Sequence, residues 1–365
     1  MTRRFLDPEE QGRFTGDRLA AVRKIAKIAA DEHCDFVVVC GDVFESNQVD
    51  RKVVANAIEA LKEFSVPVLI LPGNHDALDA TSVYLSEEFA RRPENIILMS
   101  EATGFNVPGS TARVVAAPLT TRTPTEDLAA AALDGQERES DTPLQILAAH
   151  GVTSDLNPDR NALDTILVED LKEALDAKTI DYVALGDRHS ETSVDNDSRI
   201  RYSGSPVATS FEDIKSNQIL IVEKSGGEIT VESRKVGDWE FLTNSFDLAG
   251  DEDIHQIETW LDSVPNKHVC VAKFSVVGTV SLAGRARVDE LLDRYAELFA
   301  ALWLRERHTT ISVAPSPKDL EDLSLSGYAS ATLDDLVEKS GSTNGSDATT
   351  ASDALSLLYR LAASA

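Results

Sequence analysis

Four short, apolar, β-rich runs in this chain each end in a polar cluster built around glycine. Phe36-Val-Val-Val-Cys40 leads into Gly41-Asp42, and Val66 to Leu71 leads into Gly73-Asn74-His75-Asp76. Leu144 to Ala149 leads into His150-Gly151, and Tyr182 to Leu185 leads into Gly186-Asp187-Arg188-His189. Short continuous apolar runs suit strands covered on both faces, and stretches of helical periodicity lie between them, so the chain reads as β-α-β units. In open α/β sheets ligands bind at the carboxyl ends of the strands. Four polar clusters at four such ends are therefore expected to converge on one site, with glycine letting the backbone turn sharply and approach a ligand.

Leu19, Val22, Ile25, Ala26 and Ala29 predict an amphipathic helix over 17–33, and Val54, Ala57, Ile58, Leu61 and Phe64 predict a second. Helical stretches around 82–91 and 168–177, and apolar runs at 96–99 and 114–117, continue the pattern. After Ile200 the segments Ile200 to Tyr202, Gln218 to Glu223 and Ile229 to Ser233 read as antiparallel strands. The expected fold class is α/β, a layered sheet domain over 1–236 followed by a small α+β cap over 237–337. In the cap, Cys270, Ala272, Phe274 and Val276 share one strand face, and a helix buries Val288, Leu291, Leu292, Tyr295, Leu298, Phe299 and Leu302. In 338–365, Glu338 to Ser352 has the composition of a flexible linker, and Asp353 to Ala362 reads as a terminal helix with Leu355, Leu358 and Leu361 on one face. Such a stripe suits a partner's groove and equally suits packing on the chain's own cap.

Composition narrows the function. A length of 365 residues suggests about two domains, and 42% hydrophobic content excludes wholesale disorder. No apolar run approaches the roughly 18 residues of a spanning helix, and the N-terminus has no apolar signal region behind its basic residues. Cys34, Cys40 and Cys270 are odd in number and lack C-x-x-C spacing, so neither a disulfide framework nor a zinc cluster is indicated and a reducing cytoplasm is expected. With 35 Lys and Arg against 62 Asp and Glu, the net charge is −27. That opposes a broad grip on nucleic acid, and the small basic groups Arg3-Arg4, Arg91-Arg92, Arg199 with Arg201, Arg285 with Arg287 and Arg305 with Arg307 read as solvated surface.

Asp42, Glu45, Asn74, His75, Asp76, His150, Asp187 and His189 form a set of oxygen and imidazole groups without thiolates, which suits manganese, iron or zinc. Two ions roughly 3.5–4 Å apart can activate a water and neutralise an attacked phosphate in one arrangement, while a nearby imidazole protonates the leaving oxygen. Taken singly these residues have plainer readings. Gly-Asp after a strand is ordinarily a turn, and a histidine there is often a satisfied polar group. The tetrapeptide GNHD arises by chance in about one chain in a thousand of this length, and its order with the other three motifs is unlike coincidence.

Gly41-Asp42-Val43-Phe44-Glu45, Gly73-Asn74-His75-Asp76 and His150-Gly151 resemble the ordered motifs of calcineurin-like metallophosphoesterases. Within that superfamily, Asp42-Val43-Phe44, Tyr202-Ser-Gly-Ser-Pro206, the cap and the terminal helix are most similar to the nuclease subunits of bacterial SbcCD complexes. The resemblance implies a Mn²⁺-dependent DNA exonuclease with two divalent metal ions, working in double-strand-break repair. Its implied partners are DNA, an SbcC-like SMC-family ATPase subunit and a second copy of the chain. Asp42 would bridge both metals, Asn74 and His150 would bind the second, and His189 the first. His75 would be the catalytic imidazole, oriented by Asp76 and Glu45. Two departures stand out. The fourth motif is GDRH rather than G-H-x-H, which puts a carboxylate, Asp187, at an imidazole position, and no D-x-H precedes Asp42. An apolar strand ending in D-x-H is accordingly expected upstream of Met1. The competing expectations are a phosphoesterase for small phosphodiesters or monoesters, and a non-catalytic subunit.

Overall fold

A computed structural model describes residues 3–138, 142–159, 162–314 and 328–340, together with single positions between 348 and 358. Two compact units divide the chain, one comprising Met1–Arg3 and Gln11–Trp239 and the other Arg4–Glu10 and Glu240–Ala365.

The first unit is a sandwich of two sheets with helices on its outer faces. Strands β1 (Val37–Cys40), β2 (Val68–Leu71) and β3 (Ile96–Leu98) pair in parallel. The second sheet runs β4 (Gly104–Asn106), β5 (Arg113–Ala117), β6 (Gln145–His150), β7 (Tyr182–Gly186), β9 (Ile200–Tyr202), β8 (Thr192–Ser193). Its central ladders are parallel, and β4 and β8 pair antiparallel at its edges. Side-chain alternation along each strand builds the layers. Leu69 and Leu71 of β2 meet Val114, Ala116, Ile146 and Ala148 of the second sheet in the core between the sheets. Val68 and Ile70 point the other way, onto Ala26 of α1 (Pro8–Asp31) and Val54, Ile58 and Leu61 of α2 (Arg51–Leu61). On the far side, Val115, Leu147, Ala149, Val183 and Leu185 pack on α4 (Leu128–Leu133) and α5 (Val168–Asp176).

Helix α1 starts well before the predicted residue 17. Pro8 occupies its first position and Glu9 and Glu10 its first turn, which are favourable helix-start signals in a polar stretch with little apolar periodicity. The predicted helix at 82–91 is instead a single 3₁₀ turn, Val83–Leu85, and a short α3 (Glu87–Ala90), because the side chain of Ser86 accepts a bond from Phe89 N and restarts the chain there. The antiparallel reading of Ile200 to Tyr202 is half right. Strand β9 is antiparallel to β8 but parallel to β7, and three residues carry no directional signal. The antiparallel expectation holds for the hairpin β10 (Gln218–Ser225) and β11 (Glu228–Lys235).

In the second unit β12 (Glu240–Leu248), β13 (Cys270–Val280), β14 (Ala301–Leu304) and β15 (Thr310–Val313) form only parallel ladders, with β14 and β15 following one another along β13. Helices α6 (Ile254–Ser263) and α7 (Leu282–Ala296) connect them and pack Ile257, Leu261, Val288 and Leu291 onto Phe274 and Val276. Of the predicted linker, residues 338–340 close helix α8 (Tyr328–Ser340), and Ala348, Thr350 and Ala351 are helical. Leu355 and Leu358 of the predicted terminal helix pack on Leu282 and Leu333. The rest of both segments, Leu361 included, lies outside the described residues. No helix among the described residues is long and apolar enough to cross a membrane.

Candidate metal centre

The ends of β1, β2, β6 and β7 meet although they belong to two different sheets. Glycine makes this possible. A Cβ on Gly186, at the end of β7, would overlap the Cys40 carbonyl oxygen at the end of β1. Gly41 has φ +90° and a Cβ there would overlap His150 Nδ1. The turns that follow also hold Asp42 at φ 56° and Asp187 at φ 90°, positions that aspartate tolerates better than most residues but still at a cost.

The result brings Asp42, His150 and Asp187 together, with one ligand atom of each lying within 4.8 Å of the others. His150 is buried. Its Nδ1 donates to the Cys40 carbonyl at 2.7 Å, and because a carbonyl can only accept, Nδ1 carries a proton and in the neutral ring Nε2 carries the lone pair. That Nε2 is buried without a hydrogen-bond partner, 3.4 Å from Asp42 Oδ2 and 3.8 Å from Asp187 Oδ1. Asn74 Oδ1 is likewise buried and unpartnered. Buried polar atoms ordinarily find partners. An orphaned imidazole nitrogen beside two carboxylates, without thiolates, is a set that a divalent cation would satisfy.

The same tautomer logic applies to the other two imidazoles. His75 is exposed, and its Nδ1 donates to the backbone carbonyl of Glu45 at 2.9 Å. His189 Nδ1 lies 2.9 Å from Thr209 Oγ1 and 3.4 Å from Asp213 Oδ1. Each of the three rings thus has Nδ1 engaged by an oxygen, the arrangement in which Nε2 is left for a metal or a proton. His189 is not one of the three clustered residues.

Of the two residues that the resemblance implies orient His75, Glu45 contacts the ring, through its main-chain carbonyl, and Asp76 does not. Asp76 is fully buried. Its Oδ1 accepts from Gly73 N at 2.7 Å and Asp42 N at 3.2 Å, and its Oδ2 from Phe44 N at 3.0 Å and Tyr84 Oη at 2.6 Å. It holds the backbone of two motif loops rather than the His75 ring. Glu45 fixes the ring through its main chain. Thr209, Asp213 and Tyr84 complete the site and carry no sequence signal, the first two because they lie about twenty residues from His189, and Tyr84 because it reaches Asp76 from the 3₁₀ turn eight residues on.

The charges follow from these contacts. Burial raises the Asp42 pKa, but His150 and the His75 amide outweigh it and hold the carboxyl below its ordinary value. Burial lowers that of His150, which Asp42, the Cys40 carbonyl and Asp187 more than reverse. Asp187 is pushed up, chiefly by burial. His189 is raised by its bond to Asp213.

Residues 15–191 match the family model described as calcineurin-like phosphoesterase. A curated relative, the uncharacterized metallophosphoesterase YhaO of Bacillus subtilis (strain 168), is 24% identical over 239 residues, covering 62% of this chain and 55% of that protein. The chain thus spans about half the length of this relative. The solved structure of TT1561 of Thermus thermophilus aligns with a TM-score of 0.36 at 12% identity, covering 60% of this chain and 94% of that one. Both similarities are to metallophosphoesterases, the family model over 15–191 and the relative over 239 residues.

Proposed function

On the premise that residues 15–191 carry a calcineurin-like phosphoesterase domain, we propose that the protein hydrolyses phosphodiesters with two divalent ions, Mn²⁺ first among them, held by Asp42, Asn74, His150, Asp187 and His189. The substrate is DNA, degraded exonucleolytically in double-strand-break repair in the cytoplasm, together with an SbcC-like SMC-family ATPase. One observation carries the hydrolytic reading: Asp42, His150 and Asp187 converge from three strand ends around the orphaned His150 Nε2. When bound, the metal pair supplies Lewis acidity toward phosphoryl oxygens and a lowered pKa for water.

The protein's own groups do the rest. His150 and Asp42 are held in place before any ligand arrives, by the Cys40 carbonyl on one side and the His75 amide on the other, 3.0 Å from Asp42 Oδ1. His75 stands exposed at the mouth with Nδ1 pinned, so its Nε2 can hand a proton to a leaving oxygen. The DNA assignment is supported by the resemblance of Asp42-Val43-Phe44 and Tyr202-Ser-Gly-Ser-Pro206 to SbcCD nuclease subunits. The charge of −27 favours a second reading, a phosphodiesterase for small substrates that do not need a basic track.

The test is Mn²⁺-dependent degradation of end-labelled linear duplex DNA beside hydrolysis of bis(p-nitrophenyl) phosphate, with His75→Ala as the control for contaminants. Loss of both activities in the variant is expected, by a factor of about 10²–10⁴, the usual contribution of a general acid. Turnover of the small ester alone would select the second reading, and turnover of neither by a folded protein would remove the enzymatic one.

A further inference from the structure

Tyr202 takes no part in the chemistry derived above, yet its side chain joins two of the strand ends that supply the candidate donors. The residue is buried in β9. Its main chain pairs with β7, where it stands opposite Leu185, two residues before Asp187. Its hydroxyl lies at the end of β6: Oη donates to the Gly151 carbonyl at 2.8 Å and accepts from Thr153 N at 3.0 Å. Strand β7 lies between β6 and β9 in this sheet. With neighbouring strands about 4.8 Å apart, the side chain therefore crosses β7 to reach the turn that follows His150. Burial pushes its pKa up to about 12, so the hydroxyl keeps the proton that it donates.

The segment that this hydroxyl holds has little else to fix it. Gly151 follows His150 directly and has φ +151°, a conformation that glycine adopts freely and therefore does not enforce. Among the described residues, the Gly151 amide reaches only Gly186 O, at 3.3 Å, longer than a usual N–H···O bond. Its carbonyl has the Tyr202 hydroxyl as donor. The residues beyond are secured separately, since Ile166 N donates to Val152 O at 3.0 Å and Ser154 N to Ile166 O at 2.8 Å. The weak point is thus the junction between β6 and its loop. That junction is one residue from the imidazole whose Nε2 lies 3.4 Å from Asp42 Oδ2 and 3.8 Å from Asp187 Oδ1. The Tyr202 ring belongs to the same apolar core as Ile166, Val183 and Leu185, and a phenyl ring would fill that place equally well. Packing therefore does not account for the hydroxyl.

We propose that Tyr202 is a positioning residue for the candidate metal centre: its hydroxyl ties the strand end that carries His150 to the strand beside Asp187, and so fixes the spacing of these two donors before an ion arrives. This rests on the metal-centre reading above. Donor groups held at the right spacing in advance bind an ion more tightly, because ordering them costs nothing at the moment of binding.

The experiment measures Mn²⁺ affinity of the full chain from the electron paramagnetic resonance signal of the free ion, well below the thermal midpoint. In Tyr202→Phe the Kd should rise about tenfold, the lower end of the range for losing an outer support of a metal site. Tyr182→Phe, which alters another buried tyrosine of the same sheet, should leave the Kd within about twofold of the parent, since its hydroxyl makes none of the bonds to the His150 loop. Both a structural and a positioning role predict a lower thermal midpoint for Tyr202→Phe in EDTA, because a buried amide and carbonyl lose their partner. Only positioning predicts weaker ion binding by the folded variant. Hydrogen exchange in the unaltered chain gives a second readout: the Thr153 amide should be protected to the same degree in EDTA and in Mn²⁺. Parent-like Mn²⁺ affinity in folded Tyr202→Phe would overturn the proposal and leave the metal centre standing. Rapid Thr153 exchange in EDTA that slows only with Mn²⁺ would also overturn it, by making the clamp a consequence of the ion. An unaltered chain that binds no Mn²⁺ removes the metal centre, and the proposal with it. Tyr202-dependent Mn²⁺ binding without any ester hydrolysis removes the enzymatic reading alone.

Discussion

Asp76 has no exposed surface and four donors converge on it, three of them backbone amides from the loops that carry Asp42 and Asn74. The fourth letter of GNHD thus acts as a knot between the ends of β1 and β2. Burial raises its pKa, against the pull of Tyr84 and the amides. Replacement by alanine strands buried donors, each at about 1–3 kcal/mol. With partial relaxation Asp76→Ala should lose about 3–5 kcal/mol in urea denaturation, the scale of breaking a buried charged network, whereas a stability equal to the parent would contradict the knot. The chemistry of this residue type was legible in the sequence, but its task was not. A motif specifies which groups are present, and hydrogen-bond partners such as Tyr84 and Asp213 are chosen by how the following segments fold back, which the motif's own spacing does not constrain.

Among elements, the junction of β6, β7 and β10 shows how an unassigned carboxylate can set acid stability. Burial raises the pKa of Asp181, just ahead of β7. Arg138 at 2.7 Å, Lys224 of β10 at 2.6 Å and the amide of Gln145 at the start of β6 outweigh burial and leave it below the ordinary carboxylate value. A group whose folded pKa is depressed contributes stability above its unfolded pKa and loses it as pH falls through the folded value. Acid titration followed by circular dichroism should therefore show stability declining below the usual carboxylate range, and Asp181→Asn should flatten that decline while lowering stability at neutral pH by about 1–3 kcal/mol. An unaltered acid limb in the variant would refute the assignment. The longer strands and helices of the first unit, such as β1, β2, β6, β7, α2 and α5, were readable from periodicity because each is covered on a predictable face, whereas β4, β8 and α4 are too short to show one. The direction of β9 and the break between the 3₁₀ turn and α3 were not, since three-residue strands and a restart at Ser86 leave no periodic trace.

Across the whole molecule, the candidate centre links metal binding to the stability of the first unit. A ligand that binds only the folded state stabilises it by about 2.7 kcal/mol at a hundredfold excess over its Kd. Mn²⁺ should therefore raise the thermal midpoint by roughly 5–10 °C, taking about 2–4 °C per kcal/mol; EDTA should reverse the gain and His150→Ala abolish it. The effect should weaken as pH falls, because a proton held on His150, whose pKa is raised by Asp42 and Asp187 despite burial, competes with the ion for Nε2. A midpoint indifferent to metal in the parent chain would argue against the centre. The sequence by itself determined the α/β architecture, the strand-end placement of the four motifs and the oxygen and imidazole character of the donors, because hydrophobic periodicity and residue chemistry are local properties. Only the tertiary structure decided that β1 and β2 close on β6 and β7 from separate sheets and that each of the three imidazoles has Nδ1 engaged. Those facts depend on which distant backbone and side-chain groups packing brings within a few ångströms, and no short-range pattern encodes that.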